Sequence, residues 1–314
     1  KLENVMELSE DQEAIRRQLK EYGLVAFVAD GSVLPRMSGV SQKPMKDAVP
    51  FVSPESVRVT LKLPYYGEIS GMGIRRGITL IVGGGYHGKS TLLKALEMGI
   101  YPHIAGDGRE YVITDPDAVK IRAEDGRSIK HTDISMFISD LPNQKDTVSF
   151  DTEDASGSTS QAANVIEAME AGASTFLIDE DTSATNFMVR DELMQKVIHK
   201  DMEPITPFIE RMQYFYKKFG ISTVLVAGSS GAYFQVADVI VQMARYQPRE
   251  ITSRAKEATA GYQGLQFLEK EIQKPIMKRC PKKNTGLEHR GRIKLKTLGK
   301  DGIMLGPETI DLRY

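Results

Sequence analysis

Residues Gly83-Gly84-Gly85-Tyr86-His87-Gly88-Lys89-Ser90-Thr91 match the pattern G-x-x-x-x-G-K-[ST] at every fixed position. The context of this segment constrains the fold more than the pattern does. Before it, Ile78-Thr79-Leu80-Ile81-Val82 is a β-branched apolar run that reads as a buried strand. After it, Leu92, Leu93, Ala95, Leu96 and Met98 keep helical spacing. Strand, glycine turn and helix in that order aim main-chain N–H groups at phosphate oxygens, and the helix N-terminus adds favourable partial charge. Lys89 then supplies a cation to the outer phosphates, and the Ser90 hydroxyl is placed to ligate Mg2+. The expected fold class is α/β, with this loop at a carboxyl edge of the sheet.

A second element, Phe176-Leu177-Ile178-Asp179-Glu180, is an apolar strand ending in two carboxylates. Open α/β sheets put ligands at such edges. Asp179 is expected to hold Mg2+ through water, and Glu180, facing the other way, to orient an attacking water as a base. A third element, Ser156-Gly157-Ser158, precedes Asp179 by 23 residues. Ala162, Ala163, Val165, Ile166 and Met169 follow it as an apolar helical stripe, so Ser-Gly-Ser reads as a helix N-cap and a second anion site.

Asp179 to Asn186 resembles the D-E-P-x-S-A-L-D segment of ABC ATPases, and Ser156-Gly157-Ser158-Thr159 stands where those proteins carry S-G-G-Q. The likeness is closer to one family, the predicted ATPases of the ABC class. Its most specific pieces are G-G-G-Y-H-G-K-S-T, A-S-G-S-T-S-Q-A-A-N and I-D-E-D-T-S-A-T-N-F-M, within a resemblance running from about Gly23 to Leu312. The resemblance implies a P-loop NTPase of ABC-ATPase type: a mixed sheet with flanking helices plus N- and C-terminal appendages. It implies binding of ATP and ADP with Mg2+, and a homodimer in which Ser156-Gly157-Ser158 of one subunit meets the nucleotide held by Gly83 to Thr91 of the other. It also implies a soluble protein, mitochondrial if the kinetoplastid RNA-editing-associated member is the nearer relative and cytoplasmic otherwise. A further N-terminal domain ahead of Lys1 is expected on the same ground.

Two departures bear on rate. ABC ATPases place a histidine after the strand that follows the D-loop. Here Ser222-Thr223-Val224-Leu225-Val226 is followed by Ala227-Gly228-Ser229-Ser230-Gly231, although Ala237-Asp238-Val239-Ile240 matches the usual A-D-x-I. A serine does not replace an imidazole as a relay, so slow turnover is expected. The Mg2+-coordinating glutamine of those proteins is also hard to place, because the one Gln between Lys89 and Ser156 is Gln144, in a polar loop.

The rest of the chain is read more coarsely. Ser9-Glu10-Asp11-Gln12 resembles a capping box opening a helix to about Tyr22, and Leu24 to Val28 a buried strand. Asp30 to Pro50 is a long loop, and Pro204 to about Lys218 a helix with Ile209, Met212, Phe215 and Tyr216 inward. Tyr65 and Tyr66 fall about where ABC proteins carry an adenine-stacking aromatic, though an edge tyrosine pair at a turn reads equally well. The expected domains are residues 1–50 as an appendage, 51–256 as the ATPase core and 257–314 as a basic extension.

The single cysteine, Cys280, forms no internal disulfide, which fits a reducing compartment. No apolar run approaches the roughly 20 residues a bilayer needs, so no membrane partner is expected. Net charge is −1, yet residues 270–300 carry +9. That block includes Lys278, Arg279, Lys282, Lys283, Arg290, Arg292, Lys294 and Lys296. Arg290 to Lys296 alternates charged with apolar residues, so as one strand it presents one basic face. Polynucleotide is the usual partner of such a block, with a solvated basic face as the plain alternative. Two readings stand: a slow ATPase coupled to RNA or single-stranded nucleic acid, and an ATP-clamped scaffold that assembles a protein or ribonucleoprotein complex.

Overall fold

The computed structural model describes residues 2–141, 143–190, 203–261, 288–289, 292–306 and 308–312. Contacts divide the chain into two units, Lys1–Pro275 and Ile276–Tyr314. In the first unit α1 (Leu2–Glu21) leads into β1 (Leu24–Ala29), β2 (Arg58–Leu63) and β3 (Gly67–Arg75), then β4 (Ile78–Val82) and α2 (Lys89–Met98). Next come β5 (Val112–Thr114), β6 (Ala118–Ile121), β7 (Ile129–Thr132), β8 (Phe150–Thr152), α3 (Gly157–Glu170) and β9 (Thr175–Asp179). A one-turn helix α4 (Thr185–Met188), then β10 (Ser222–Val226), β11 (Val239–Ala244) and β12 (Gln247–Glu250) complete the frame.

Two sheets result. An antiparallel sheet has the order β2-β3-β1-β5, and a larger one the order β12-β11-β4-β10-β9-β6. In the larger sheet every pairing is parallel except β11 with β12. Its inner strands β9 and β10 are buried at all positions, as expected for strands covered on both faces. One side of the cover is α2: Leu92, Leu93, Ala95 and Leu96 share a core with Met72 and Ile74 of β3 and with Ile81, Leu177 and Val224 of the parallel sheet. The helix is thereby wedged between the sheets. On the outer side of the antiparallel sheet, Ile15 and Leu19 of α1 pack with Leu24, Phe27, Leu61 and Ile113. Elsewhere Phe137, Phe176, Phe187, Phe208 and Phe215 form a ring cluster with centroids 4.9–6.3 Å apart.

Four expectations change. Residues 1–50 are not an appendage, because β1 is an inner strand hydrogen-bonded to both β3 and β5. Ser9 does not cap a helix, since α1 already begins at Leu2. The polar residues read as a cap are tethers: Asp11, buried in α1, accepts the N–H groups of Tyr65 and Tyr66 at 2.9 Å, and Gln12 donates to His103 O and Glu110 O. The helix expected from Pro204 starts only at Phe208, because Ile205 makes a bridge to Ile138 and Pro207 stays extended. It then runs as a 3-10 turn, a short α-helical turn (Met212–Tyr214) and a π turn to Phe219, with Ile209, Met212 and Phe215 buried but Tyr216 exposed.

The fourth change lies in the second unit. Instead of one strand across Arg290 to Lys296, β14 (Arg292–Ile293) pairs β13 (Glu288–His289), and β15 (Leu295–Thr297) pairs β16 (Gly302–Leu305). The strand is broken at Lys294. β17 (Glu308–Asp311) completes a three-stranded sheet with β15 and β16. Arg292, Lys294 and Lys296 are exposed. Lys278, Arg279, Lys282, Lys283 and Arg290 lie outside the described residues.

The long loop after β1 is pinned, not free. Arg36 bonds Asp107 at 2.9 Å, and His103 Nδ1 lies 2.8 Å from the same carboxylate. Arg109, 2 % exposed, donates to Leu34 O, and burial lowers its guanidinium to about 10. Among the described residues, no helix is long and apolar enough to cross a membrane. Phe208 touches all four other rings of the cluster, so Phe208→Ala is expected to cost about 3–5 kcal/mol in equilibrium urea unfolding.

Candidate nucleotide site

The loop between β4 and α2 has the geometry of an anion cradle, and space dictates its glycines. Gly83 has φ 147°, and a Cβ there would lie 2.4 Å from Met243 O. Gly88 has φ 94°, and its Cβ would meet the Tyr246 ring at 2.8 Å. Both positions exclude any side chain. Lys89 Nζ donates to Gly83 O at 2.8 Å and Gly84 O at 3.0 Å, so the ammonium lies over the loop. Ser90 is exposed and Thr91 half-buried in the first turn of α2, while Tyr86 at the tip is fully exposed with φ 60°. The β11–β12 turn braces the loop from one side. His87 Nδ1 accepts the Arg245 N–H at 2.8 Å, and His87 O accepts the Tyr246 N–H at 3.1 Å.

Parallel register brings the acids to the same edge. Val226 of β10 lies opposite Asp179 of β9 on one side and Ile81 of β4 on the other. Asp179 is 7 % exposed, and its Oδ1 accepts the Asp181 N–H at 3.2 Å. Glu180 is turned to the loop after β10. Its Oε2 accepts the N–H groups of Gly228 (2.8 Å) and Ser229 (3.1 Å), and its Oε1 accepts the Ser229 hydroxyl at 2.8 Å. Gly228 also lies beside Lys89, whose Nζ would be 3.7 Å from a Cβ at that glycine. Lys89, Gly228, Ser229 and Glu180 thus form one cluster. The fully buried Tyr233 hydroxyl stands nearby with no hydrogen-bond partner among the described residues, and burial, with a lesser contribution from Glu180, raises its pKa.

Ser156, Gly157 and Ser158 form a separate cleft with the segment after Asp179. The cleft, about 600 Å³, is lined by these residues, by Asp181 to Asn186, and by Ala123 and Asp125. Ser156 caps α3, its Oγ accepting from Thr159 N at 3.4 Å and lying 3.0 Å from Thr159 Oγ1. A buried glutamine ties the cleft together: Gln161 donates to Ser183 Oγ at 3.0 Å and accepts the Ala184 N–H at 2.8 Å. On the other wall Arg127 is bound by Asn164 at 2.6 Å and Glu167 at 2.6–2.7 Å, which fixes the segment carrying Asp125 against α3. No residue of Gly83 to Thr91 lines this cleft.

Other sequence candidates lie elsewhere. Gln144 is exposed in a turn with φ 55°, and among the described residues no hydrogen bond joins it to Lys89, Ser90 or Asp179. The strand next to β9 is β6, so Ala123 and Asp125, two and four residues past its end, are what emerge beside this site. Tyr65 and Tyr66 sit at the β2–β3 turn, with the Tyr66 ring edge-on to Tyr111 at 5.1 Å. Asp238 of the A-D-x-I segment is structural, accepting the Ile78 N–H at 2.8 Å where β4 begins. Sequence reasoning passed over Gln161, Asp125, Arg245 and Tyr246. Only Gln161 carried a signal, as a polar residue inside an apolar helical stripe. Gln161→Ala leaves the Ala184 N–H unpaired and removes the donor to Ser183 Oγ, which keeps its own bond to Asp179 O, so a loss of about 1–3 kcal/mol is expected in chemical denaturation.

Comparison with known proteins agrees with this geometry. A model of the ABC_ATPase family, described as its P-loop domain, matches residues 1–279. An uncharacterized protein of Methanocaldococcus jannaschii is 31% identical over 229 residues, covering 70% of this chain and 50% of the relative. The chain thus spans about half the length of that curated relative. Two solved structures are similar at a TM-score of 0.44. One is cbiO1 of Clostridium perfringens, part of the ABC transporter complex cbiONQ, at 12% identity over 76% of this chain and 91% of that one. The other is a putative metal-chelate type ABC transporter in an inward-facing conformation, at 13% identity over 76% and 88%. Likeness at that level carries no argument about chemistry. The family match does: with its α/β frame and the loop between β4 and α2, the chain belongs to the ABC_ATPase family and carries that family's nucleotide-binding P-loop domain.

Proposed function

We propose that the chain binds Mg-ATP on Gly83 to Thr91 and hydrolyses it slowly, with Glu180 as the base that orients water. The observation carrying this reading is the hydrogen-bonded union of Glu180 with Gly228 and Ser229 beside Lys89. The loop N–H groups and the N-terminus of α2 favour the anionic phosphates, and Lys89 exchanges its two carbonyl partners for phosphate oxygens. Glu180 exchanges the Ser229 hydroxyl for water, which costs hydrogen bonds that an unlatched carboxylate would not lose. That cost, with serine where an imidazole is usual, is the physical reason for expecting a slow rate.

The candidate metal ligands fit Mg2+ by donor type. The Ser90 hydroxyl and Asp179 carboxylate are hard oxygen donors, and among the described residues no group of three His, Cys, Asp or Glu forms a dedicated cage. Mg2+ characteristically takes one or two protein oxygens plus phosphates and water. Bound there, it would neutralise charge on the outer phosphates.

A second copy completes the site in this reading. Ser156, Gly157 and Ser158 open a cleft that is lined by no Gly83–Thr91 residue, and in this reading they meet the phosphates held by a neighbouring molecule. Glu180→Gln is expected to abolish steady-state ATP hydrolysis, retain ATP binding and drive a monomer-to-dimer shift in sedimentation velocity with Mg-ATP. Equal background rates for wild type and Glu180→Gln would leave the ATP-clamped scaffold instead.

Exposed Arg292, Lys294 and Lys296 favour RNA or single-stranded nucleic acid as a partner, and with it a ribonucleoprotein assembly. Phosphate contacts release counterions, so the affinity for a single-stranded RNA should fall steeply with salt. Lys294→Glu with Lys296→Glu should weaken it, and a flat salt response in fluorescence anisotropy would remove this partner.

A further inference from the structure

The turn joining β11 to β12 consists of Arg245 and Tyr246, between the paired residues Ala244 and Gln247. Both central residues have positive φ, 51° and 65°. Two-residue turns of this hand strongly prefer Asn-Gly or Gly-Gly, because side chains crowd the backbone there. Here an arginine and a tyrosine occupy them, and strain of this kind concentrates at ligand sites. The strained turn docks on the phosphate-binding loop through the two His87 hydrogen bonds, and the Tyr246 ring rests against Gly88 while staying 41 % exposed. A partly exposed aromatic side chain therefore stands beside Gly88, the residue that precedes Lys89.

Strand order gives that face a direction. The loop follows β4, which has β10 on one side and β11 on the other. Glu180, Gly228 and Ser229 all lie on the β10 side. A nucleotide whose reacting phosphate faces Glu180 extends its other end toward β11, where the turn waits. This step rests on the ATPase reading above. Tyr65 and Tyr66, which sequence position nominates, are also exposed but lie at the β2–β3 turn, where their backbones are tied to Asp11 of α1 and the Tyr66 ring packs on Tyr111.

We propose that the Tyr246 ring is the platform on which the purine base of the bound nucleotide stacks. Arg245 sits beside it as the first residue of the same exposed turn. The ring acts on the base alone, while Lys89 and the loop N–H groups act on the phosphates.

The test compares Mg-ATP with Mg-tripolyphosphate, which has the phosphates but no base, by titration calorimetry on the full chain. Tyr246→Ala and Tyr246→Leu, the latter keeping bulk against Gly88, are each expected to weaken ATP about tenfold or more. Tripolyphosphate binding stays at the wild-type level in both, and Tyr246→Phe retains both ligands. Equal loss of the two ligands in Tyr246→Ala and Tyr246→Leu would mean that the ring merely props the loop, and would overturn the proposal. So would a selective loss of ATP on Tyr86→Ala or Tyr65→Ala with none at Tyr246. Wild-type protein that binds neither ligand overturns the nucleotide reading itself, and the proposal with it.

Discussion

Ile81, Val226 and Asp179 face one another across three parallel strands in register, and the chemistry depends on that register. Parallel pairing sends the chain off the same edge after each strand. The residues that follow, Gly83, Gly228 and Glu180, converge because their strands end level. A slip of one residue in β10 would exchange the side chains packed on its two covered faces, so packing on both faces holds the register. The site inherits its precision from the core beneath it.

The wedge formed by α2 carries the same constraint to the phosphate loop. Its apolar face is packed against both sheets at once, so the helix N-terminus cannot drift from the end of β4. The loop between is then held at two points: Gly83 against Met243 O, and His87 on the backbone of the β11–β12 turn. Rigid backbone N–H groups need no rearrangement to meet an anion, which is what preorganisation means at such a loop. By contrast the acidic side is latched, with three donors on Glu180. The loop backbone is in place, while Lys89 and Glu180 must each exchange partners.

The cleft at Ser156 has a different physical character. It is braced by long-range side chains, Gln161 to Ser183 and Ala184, and Arg127 to Glu167 and Asn164. Asp125 lies close to Gly157, since a Cβ on that glycine would stand 3.2 Å from its Oδ1. A carboxylate there opposes a bare anion at the α3 N-terminus. Coupling between this turn and Glu180 is short, since the segment Asp181 to Asn186 both follows Glu180 and lines the cleft.

Much of this was legible in the chain because it is local. The glycines, Lys89 and Ser90 lie within nine consecutive residues, and their chemistry is that of backbone turning and a helix start. The apolar strand before Asp179 and the stripe behind Ser156 are equally local, and the fold class followed from their order. Local signals also misled. Ser9 to Gln12 has the letters of a cap, but two of its residues are spent on contacts 54 and 91 positions away. Alternation in Arg290 to Lys296 could not reveal that β14 and β15 take different partners. What tertiary structure alone decided are pairings between distant segments: Ser229 on Glu180, Arg245 on His87, Tyr246 on Gly88, and β1 between β3 and β5. The physical reason is one of range. Propensity and pattern act over a turn or a strand, whereas these contacts exist only once two sheets have closed on α2.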